Sequence, residues 1–208
     1  MIVLEVGLLL DENLEYYQEI LKKVNAENVF NCVTRDVYLT NVPEADMLKM
    51  TENEIKRTSV RIRNSKGFSG SKLESQKGKK EKYNFQNFKI FDSKKDNSFK
   101  CGLWQKNRII KKMISKGWRF WLDTIKTDYQ YKIGDMKSAI QLQDIKDIGL
   151  VLYYDNPDYY EFDEDEQRLM LINELNGYGF NISKDELGID KLRTFVHKKP
   201  MYSKNQNG

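Results

Sequence analysis

The sequence contains one histidine, two cysteines and three prolines in 208 residues, and each scarcity removes a class of protein. His197, beside Lys198 and Lys199, has no partner imidazole, which excludes a histidine-rich zinc centre and places the residue in a solvated tail. Cys32 and Cys101 lack the close spacing of a metal or redox motif, and a single pair is too few for a disulfide framework. Reduced thiols and a cytoplasmic location are expected. With three Pro and 12 Gly the chain is neither collagenous nor of low complexity. No apolar run approaches the ~18–20 residues that cross a bilayer, and Met1-Ile2-Val3-Leu4-Glu5 has no basic segment ahead of its apolar stretch. Neither secretion nor a membrane partner is expected. Charge of one sign is also in short supply: 35 Lys and Arg against 31 Asp and Glu leave +4, too little for histone-like binding by net charge alone.

Aromatic residues are abundant, with 10 Phe, 12 Tyr and 3 Trp to fill a core or line a cleft. At this length one domain over residues 1–208 is expected. Ile2–Leu10 predicts a strand that leads through Asp11 into a helix over Leu14–Val24, where Tyr17, Ile20, Leu21 and Val24 recur at helical spacing. Val29–Leu39 returns to strand composition, Glu52–Arg57 to a short helix, and Ser59–Arg63 alternates as a strand does. Ser65–Lys82 is Gly-, Ser- and Lys-rich and predicts a mobile loop, its glutamates breaking up what would otherwise be a nucleic-acid patch. Tyr83–Phe91 predicts a further strand. Trp104–Ser115 predicts a basic amphipathic helix that ends at Gly117.

Three strand-like segments then follow, Trp118–Ile133, Met136–Gln143 and Leu150–Tyr154, with turns at Gly134-Asp135 and Asp147-Ile148-Gly149. They predict an antiparallel meander. Glu161–Leu175 predicts a helix with Leu169, Ile172 and Leu175 on one face and Gly177 at its end. The order of elements is that of an α+β fold.

Lys126-Thr127-Asp128-Tyr129-Gln130-Tyr131, a hairpin, and then Gln141-Leu142-Gln143-Asp144-Ile145-Lys146-Asp147-Ile148-Gly149 resemble the CYTH superfamily of triphosphate tunnel enzymes and class IV adenylate cyclases. That family has a Lys-x-Arg-x-x-Tyr strand, a Leu-Asp-x-Val-x-x-Leu-Gly segment and a strand with Glu-x-Glu. Val60-Arg61-Ile62-Arg63 resembles its Leu-Arg-Ile-Arg strand, and Val3-Leu4-Glu5-Val6-Gly7 stands at its N-terminal Glu-x-Glu-x-Lys signature. Gly188–Phe195 is similar to its C-terminal stretch. The resemblance implies an antiparallel eight-stranded barrel or tunnel with flanking helices. It further implies that Arg61, Arg63 and Lys126 grip phosphate and that Glu5 belongs to a metal site. Arg61 and Arg63, two apart on a strand, share a face where guanidinium forks can meet phosphate oxygens.

Departures from the family pattern shape the functional expectation. Val3 and Gly7 replace a glutamate and the lysine of the signature, Asp128 replaces the arginine after Lys126, and Gln143 replaces the aspartate of Leu-Asp. Leu152 and Tyr154 stand where the late strand's glutamates belong, and are expected to face the barrel interior. A hard cation beside phosphates wants carboxylate oxygens, and Glu5 alone is a poor ligand set. The leading expectation is a tunnel protein that binds a phosphorylated or polyphosphate ligand with little or no turnover and no cofactor. The alternative is an active triphosphatase or nucleotidyl cyclase that uses Mg²⁺ or Mn²⁺ held by Asp128, Asp144 or Asp155. Nucleic acid is not expected as a partner, because aromatic neighbours such as Tyr153-Tyr154 and Tyr159-Tyr160 fall on opposite faces of a strand.

Overall fold

The computed structural model describes residues 5–69, 87–92, 97–183, 189 and 191–198. Eight strands form an antiparallel sheet: β1 (Val6–Leu9), β2 (Glu27–Thr40), β3 (Ser59–Ser69), β4 (Asn87–Asp92), β5 (Asn97–Gly102), β6 (Arg119–Lys132), β7 (Ile140–Ile145) and β8 (Gly149–Tyr154). Their order across the sheet is β1-β8-β7-β6-β2-β3-β4-β5. Among the described residues six α-helices accompany them: α1 (Leu14–Lys23), α2 (Glu44–Met47), α3 (Glu52–Thr58), α4 (Leu103–Ile114), α5 (Glu164–Gly177) and α6 (Lys191–Lys198). The α+β class read from the order of elements is present, and so are the eight antiparallel strands that the resemblance implies, as one sheet.

The chain divides into two compact units: Met1–Cys32, Gly67–Lys79 and Lys126–Ile189 form the first, and Val33–Lys66, Lys80–Ile125 and Asp190–Gly208 the second. The long strands β2 and β6 contribute to both.

In the first unit, β1, β8, β7 and the later part of β6 pair so that Val6 lies opposite Tyr154, Leu8 opposite Leu152, and Leu142 between Leu152 and Tyr129. Because strand side chains alternate, these residues share a face. That face is covered by helices: Gln18 of α1 donates to the Tyr131 hydroxyl at 2.7 Å, and the Tyr154 hydroxyl donates to Glu174 of α5 at 2.8 Å. Glu174 also accepts from Tyr178 at 3.0 Å and from Asn156 at 3.0 Å. Tyr17 of α1 stacks on Phe180 with ring centroids 5.6 Å apart. The buried stripe of α5 is Gln167, Leu171, Ile172 and Leu175, and Leu169, expected inside, is exposed. Gly177 lies within α5, and the positive φ of +96° falls at Gly179.

In the second unit Leu39, Val60, Ile62, Ile90 and Cys101 form a core on one face of β2–β5, and Ile109, Ile110 and Met113 of α4 pack against it with Trp118 and Phe120. The three α4 residues recur at i, i+1 and i+4, which is one side of a helix. α3 begins with a capping box, Glu54 N–H donating to Thr51 Oγ1 at 3.3 Å and Thr51 N–H donating to Glu54 Oε2 at 2.8 Å. α6 joins α3 through Arg193 N–H, which donates to Glu52 Oε2 at 3.0 Å.

Several boundaries differ from the sequence expectations. Residues 65–69 continue β3 rather than opening a loop, and 70–82 lie outside the described residues. β7 begins at Ile140, so Gly134-Asp135 opens a longer connection instead of a two-residue hairpin. His197 sits on α6, exposed. Both cysteines are free thiols.

Candidate phosphate-binding face

Arg61 and Arg63 lie on β3 with Val60, Ile62 and Asn64 buried between and beside them. Alternation sends the two arginines to the face opposite α4. There Arg63 forms a two-pronged pair with Asp36 of β2, Nε to Oδ1 at 2.7 Å and Nη2 to Oδ2 at 2.7 Å. Asp36 has a side chain only 4% exposed, against 27% for Arg63. A rigid fork against a carboxylate is the geometry that suits guanidinium best. Two positions away on each strand, Thr34 and Ser65 share a hydrogen bond at 3.0 Å. Two positions the other way, the Tyr38 hydroxyl comes within reach of Arg61. Burial, reinforced by the Asp36 charge, pushes that hydroxyl up to about 12, and Arg61 and Arg63 oppose the shift. The Tyr38 ring lies 5.4 Å from the Trp121 ring, and Trp121 Nε1 donates to Ser59 Oγ at 3.2 Å.

The register extends the face. Arg63 lies opposite Lys89 of β4, and Lys89 opposite Lys100 of β5. Neighbouring strands are about 4.8 Å apart, so the three cations stand on a row about 10 Å wide. Arg61 is on the next row. Sequence reasoning identified the arginines but not Asp36, Tyr38, Lys89 or Lys100. The alternation Thr34-x-Asp36-x-Tyr38 was the available signal: three polar or amphipathic residues at period two, which a strand places on one face.

Lys126 belongs to the first unit. It lies opposite Ile145 and shares a face of β6 with Asp128 and Gln130. Asp128, buried, accepts from Gln141 Nε2 at 2.8 Å and from Gln143 Nε2. The position that carries arginine in the family's strand is thus a carboxylate clasped by two amides.

Of the carboxylates expected to hold metal, Glu5 and Asp155 both act on Tyr160, while Asp128 and Asp144 project to opposite faces of the sheet. Glu5 is exposed just before β1, and its charge acts on the Tyr160 phenol. Tyr160 donates to Asp155, a hydrogen bond that pushes the phenol up to about 12. Asp144 lies opposite Thr127 and so projects to the face opposite Asp128. Its carboxyl is raised, first by burial and then by Glu15. Leu152 and Tyr154 share one face, as expected, and both are buried. They pack on the face that α5 covers, while Val151 and Tyr153 point to the side of Asp128 and Gln143. Among the described residues no three His, Cys, Asp or Glu side chains gather as a metal-ligand group. The residues in place of the family's glutamates therefore do not fit Mg²⁺ or Mn²⁺, which require several oxygen donors.

No family model and no curated protein matches the chain. Among solved structures, the PH1819 protein of Pyrococcus horikoshii superposes with a TM-score of 0.51 at 14% identity, covering 94% of this chain and 100% of that one. A conserved hypothetical protein of Pyrococcus furiosus gives 0.49 at 16% identity, covering 94% and 100%. A Vibrio parahaemolyticus protein provisionally named an adenylate cyclase gives 0.48 at 12%, covering 93% and 97%. The likeness to the first extends over nearly the whole of both chains and is a likeness of fold.

Proposed function

We propose that this chain, an eight-stranded antiparallel fold like that of the PH1819 protein, is a divergent CYTH-like protein that binds a phosphorylated or polyphosphate ligand without metal-assisted turnover. The observation that carries the reading is the cationic row Arg63, Lys89 and Lys100 on three adjacent strands, with Arg61 beside it. Like charges opposite one another on a sheet are destabilising, and a multivalent anion laid across the row relieves that repulsion. Guanidinium supplies paired donors to phosphate oxygens, and ammonium supplies point charge. The Asp36 fork holds Arg63 in one orientation, so its charge is presented to the row in a fixed place. Lys126 remains a candidate cation on β6, to be tested by itself. The non-catalytic part of the reading is supported by the placement of Asp128 and Asp144 on opposite faces of the sheet, since phosphoryl transfer without charge neutralisation forfeits transition-state stabilisation.

The test is calorimetric titration with tripolyphosphate at low ionic strength. Binding is expected, and Arg61→Ala and Lys100→Ala each weaken it. Phosphate release from tripolyphosphate or ATP, or cyclic AMP formation, that needs Mg²⁺ or Mn²⁺ and is abolished by Glu5→Ala would replace this reading with the enzymatic one.

A further inference from the structure

The whole-chain charge of +4 conceals a segment of one sign. Residues 97–122 contain Lys100, Lys106, Arg108, Lys111, Lys112, Lys116 and Arg119 and no Asp or Glu, so this segment carries +7 and the remainder of the chain −3. Two of these cations are committed to the fold: Lys106 lies over the Phe88 ring at 4.4 Å, and Arg119 donates to the Val42 carbonyl. Lys100 is on the sheet row described above. The remaining four, Arg108, Lys111, Lys112 and Lys116, are exposed on or just after α4.

The outward side of α4 has a second property. Trp104 is 72% exposed, the most exposed large hydrophobic side chain among the described residues, and Arg108 lies over its ring at 5.7 Å. At 100° per residue Trp104, Arg108 and Lys111 form one stripe, Lys112 flanks it, and the whole spans about 12 Å of helix. We propose that this face of α4 binds single-stranded nucleic acid, with Trp104 as a stacking platform and Arg108, Lys111, Lys112 and Lys116 neutralising the phosphates on either side.

Three observations select this occupant. A helix that enters a membrane interface buries a continuous apolar side in lipid, but Ile109, Ile110 and Met113 of α4 are packed in the core of the second unit, and the apolar side chains left exposed, Leu103, Trp104 and Ile114, are interrupted by Asn107 and Arg108. Protein interfaces are depleted in lysine, whereas three of the four outward cations here are lysines. An exposed indole set among cations, with Arg108 over its ring, is an arrangement that stacks on a base of any identity. The aromatic pair on β8, Tyr153-Tyr154, fails as a platform because its members fall on opposite faces, whereas Tyr159-Tyr160, expected on a strand, lies at a 3-10 turn; a helix stripe has no such restriction.

The test is fluorescence anisotropy of a labelled oligothymidylate or oligouridylate of about a dozen nucleotides, a length within the usual site sizes. Binding should weaken with salt at a slope of log K against log[salt] of about −2 to −3, the value for three or four phosphate contacts on a single strand. Trp104→Ala should weaken binding about 5- to 150-fold and abolish quenching of indole emission by the oligonucleotide. Lys111→Ala with Lys112→Ala should reduce the slope by about 1.4 and leave tripolyphosphate affinity unchanged, separating this site from the sheet face. All the substituted side chains are exposed, and circular dichroism should show unaltered folding. The proposal is overturned by absence of binding at low salt, or by binding that ignores both sets of substitutions. Polyglutamate or anionic vesicles that bind with equal affinity and the same Trp104 dependence would overturn it in favour of an acidic polypeptide or a lipid surface.

Discussion

Replacing Arg63 by alanine removes both hydrogen bonds to Asp36 and strands a carboxylate that is 4% exposed. Breaking a buried ion pair by deleting one partner costs about 3–5 kcal/mol, most of it the desolvation of the remaining charge. The Arg63 side chain is 27% exposed, so water has partial access and the low end, about 3 kcal/mol, is the expected loss. For a chain of this size that lowers the melting temperature by about 6–12 °C. Urea unfolding followed by circular dichroism should show a lower midpoint at unchanged m-value. The companion variants isolate the cause. Arg63→Met with Asp36→Leu removes both charges and should return to within about 1 kcal/mol of the parent, since an apolar pair of similar volume replaces a buried ion pair at little net cost. Arg63→Lys keeps the charge but loses the planar fork and should fall between the parent and the alanine variant. A loss below about 0.5 kcal/mol for Arg63→Ala, or a double variant as unstable as the single one, would refute the assignment of this pair as a buried, structure-supporting fork.

Asp36→Asn removes the negative charge that shares Arg63 with the ligand, so tripolyphosphate affinity measured by calorimetry should rise several-fold while the urea midpoint falls. Tyr38, held up to about 12 when folded against an ordinary phenol near 10, contributes stability that is fully present below pH ~10 and is lost as pH rises through ~12. The gap between parent and Tyr38→Phe urea midpoints should therefore shift against the parent between those two pH values, by on the order of 2–3 kcal/mol. Gly7→Ala would place a Cβ 2.7 Å from Cε1 and 3.2 Å from Cδ1 of the Tyr153 ring, and the forced displacement should cost about 1–3 kcal/mol in the same unfolding assay. Millimolar Mg²⁺ or Mn²⁺ alone should leave the melting temperature unchanged, whereas a metal bound well below that concentration would raise it.

The sequence made the second unit's strand β3 readable because Ser59–Arg63 alternates strictly between apolar and polar, which assigns each side chain a face. β8 gives no such assignment. Leu150-Val151-Leu152-Tyr153-Tyr154 is an unbroken apolar run, so its pattern alone does not say which of its residues lie under α5. Face is a property of register against β1 and β7, and register is set by long-range pairing. β5, as Asn-Ser-Phe-Lys-Cys-Gly at the sheet edge, is too short and too polar to announce itself, and with it the Lys100 end of the cationic row stayed hidden. Asp36 was legible in principle, but its significance depends on Arg63 lying across from it. α4 shows the converse: its basic character was evident in the sequence, and what the fold adds is that its apolar side is occupied, leaving Trp104 outside.

The hydrogen bond from Arg193 N–H to Glu52 joins residues 141 positions apart. During translation at roughly 5–20 residues per second, α3 therefore waits about 7–28 s for α6 to be made. Throughout that interval the side of the second unit destined for Leu192, Phe195 and Val196 has no cover from its own chain. The second unit therefore completes its packing only once α6 is made, a consequence of contacts between residues far apart in sequence.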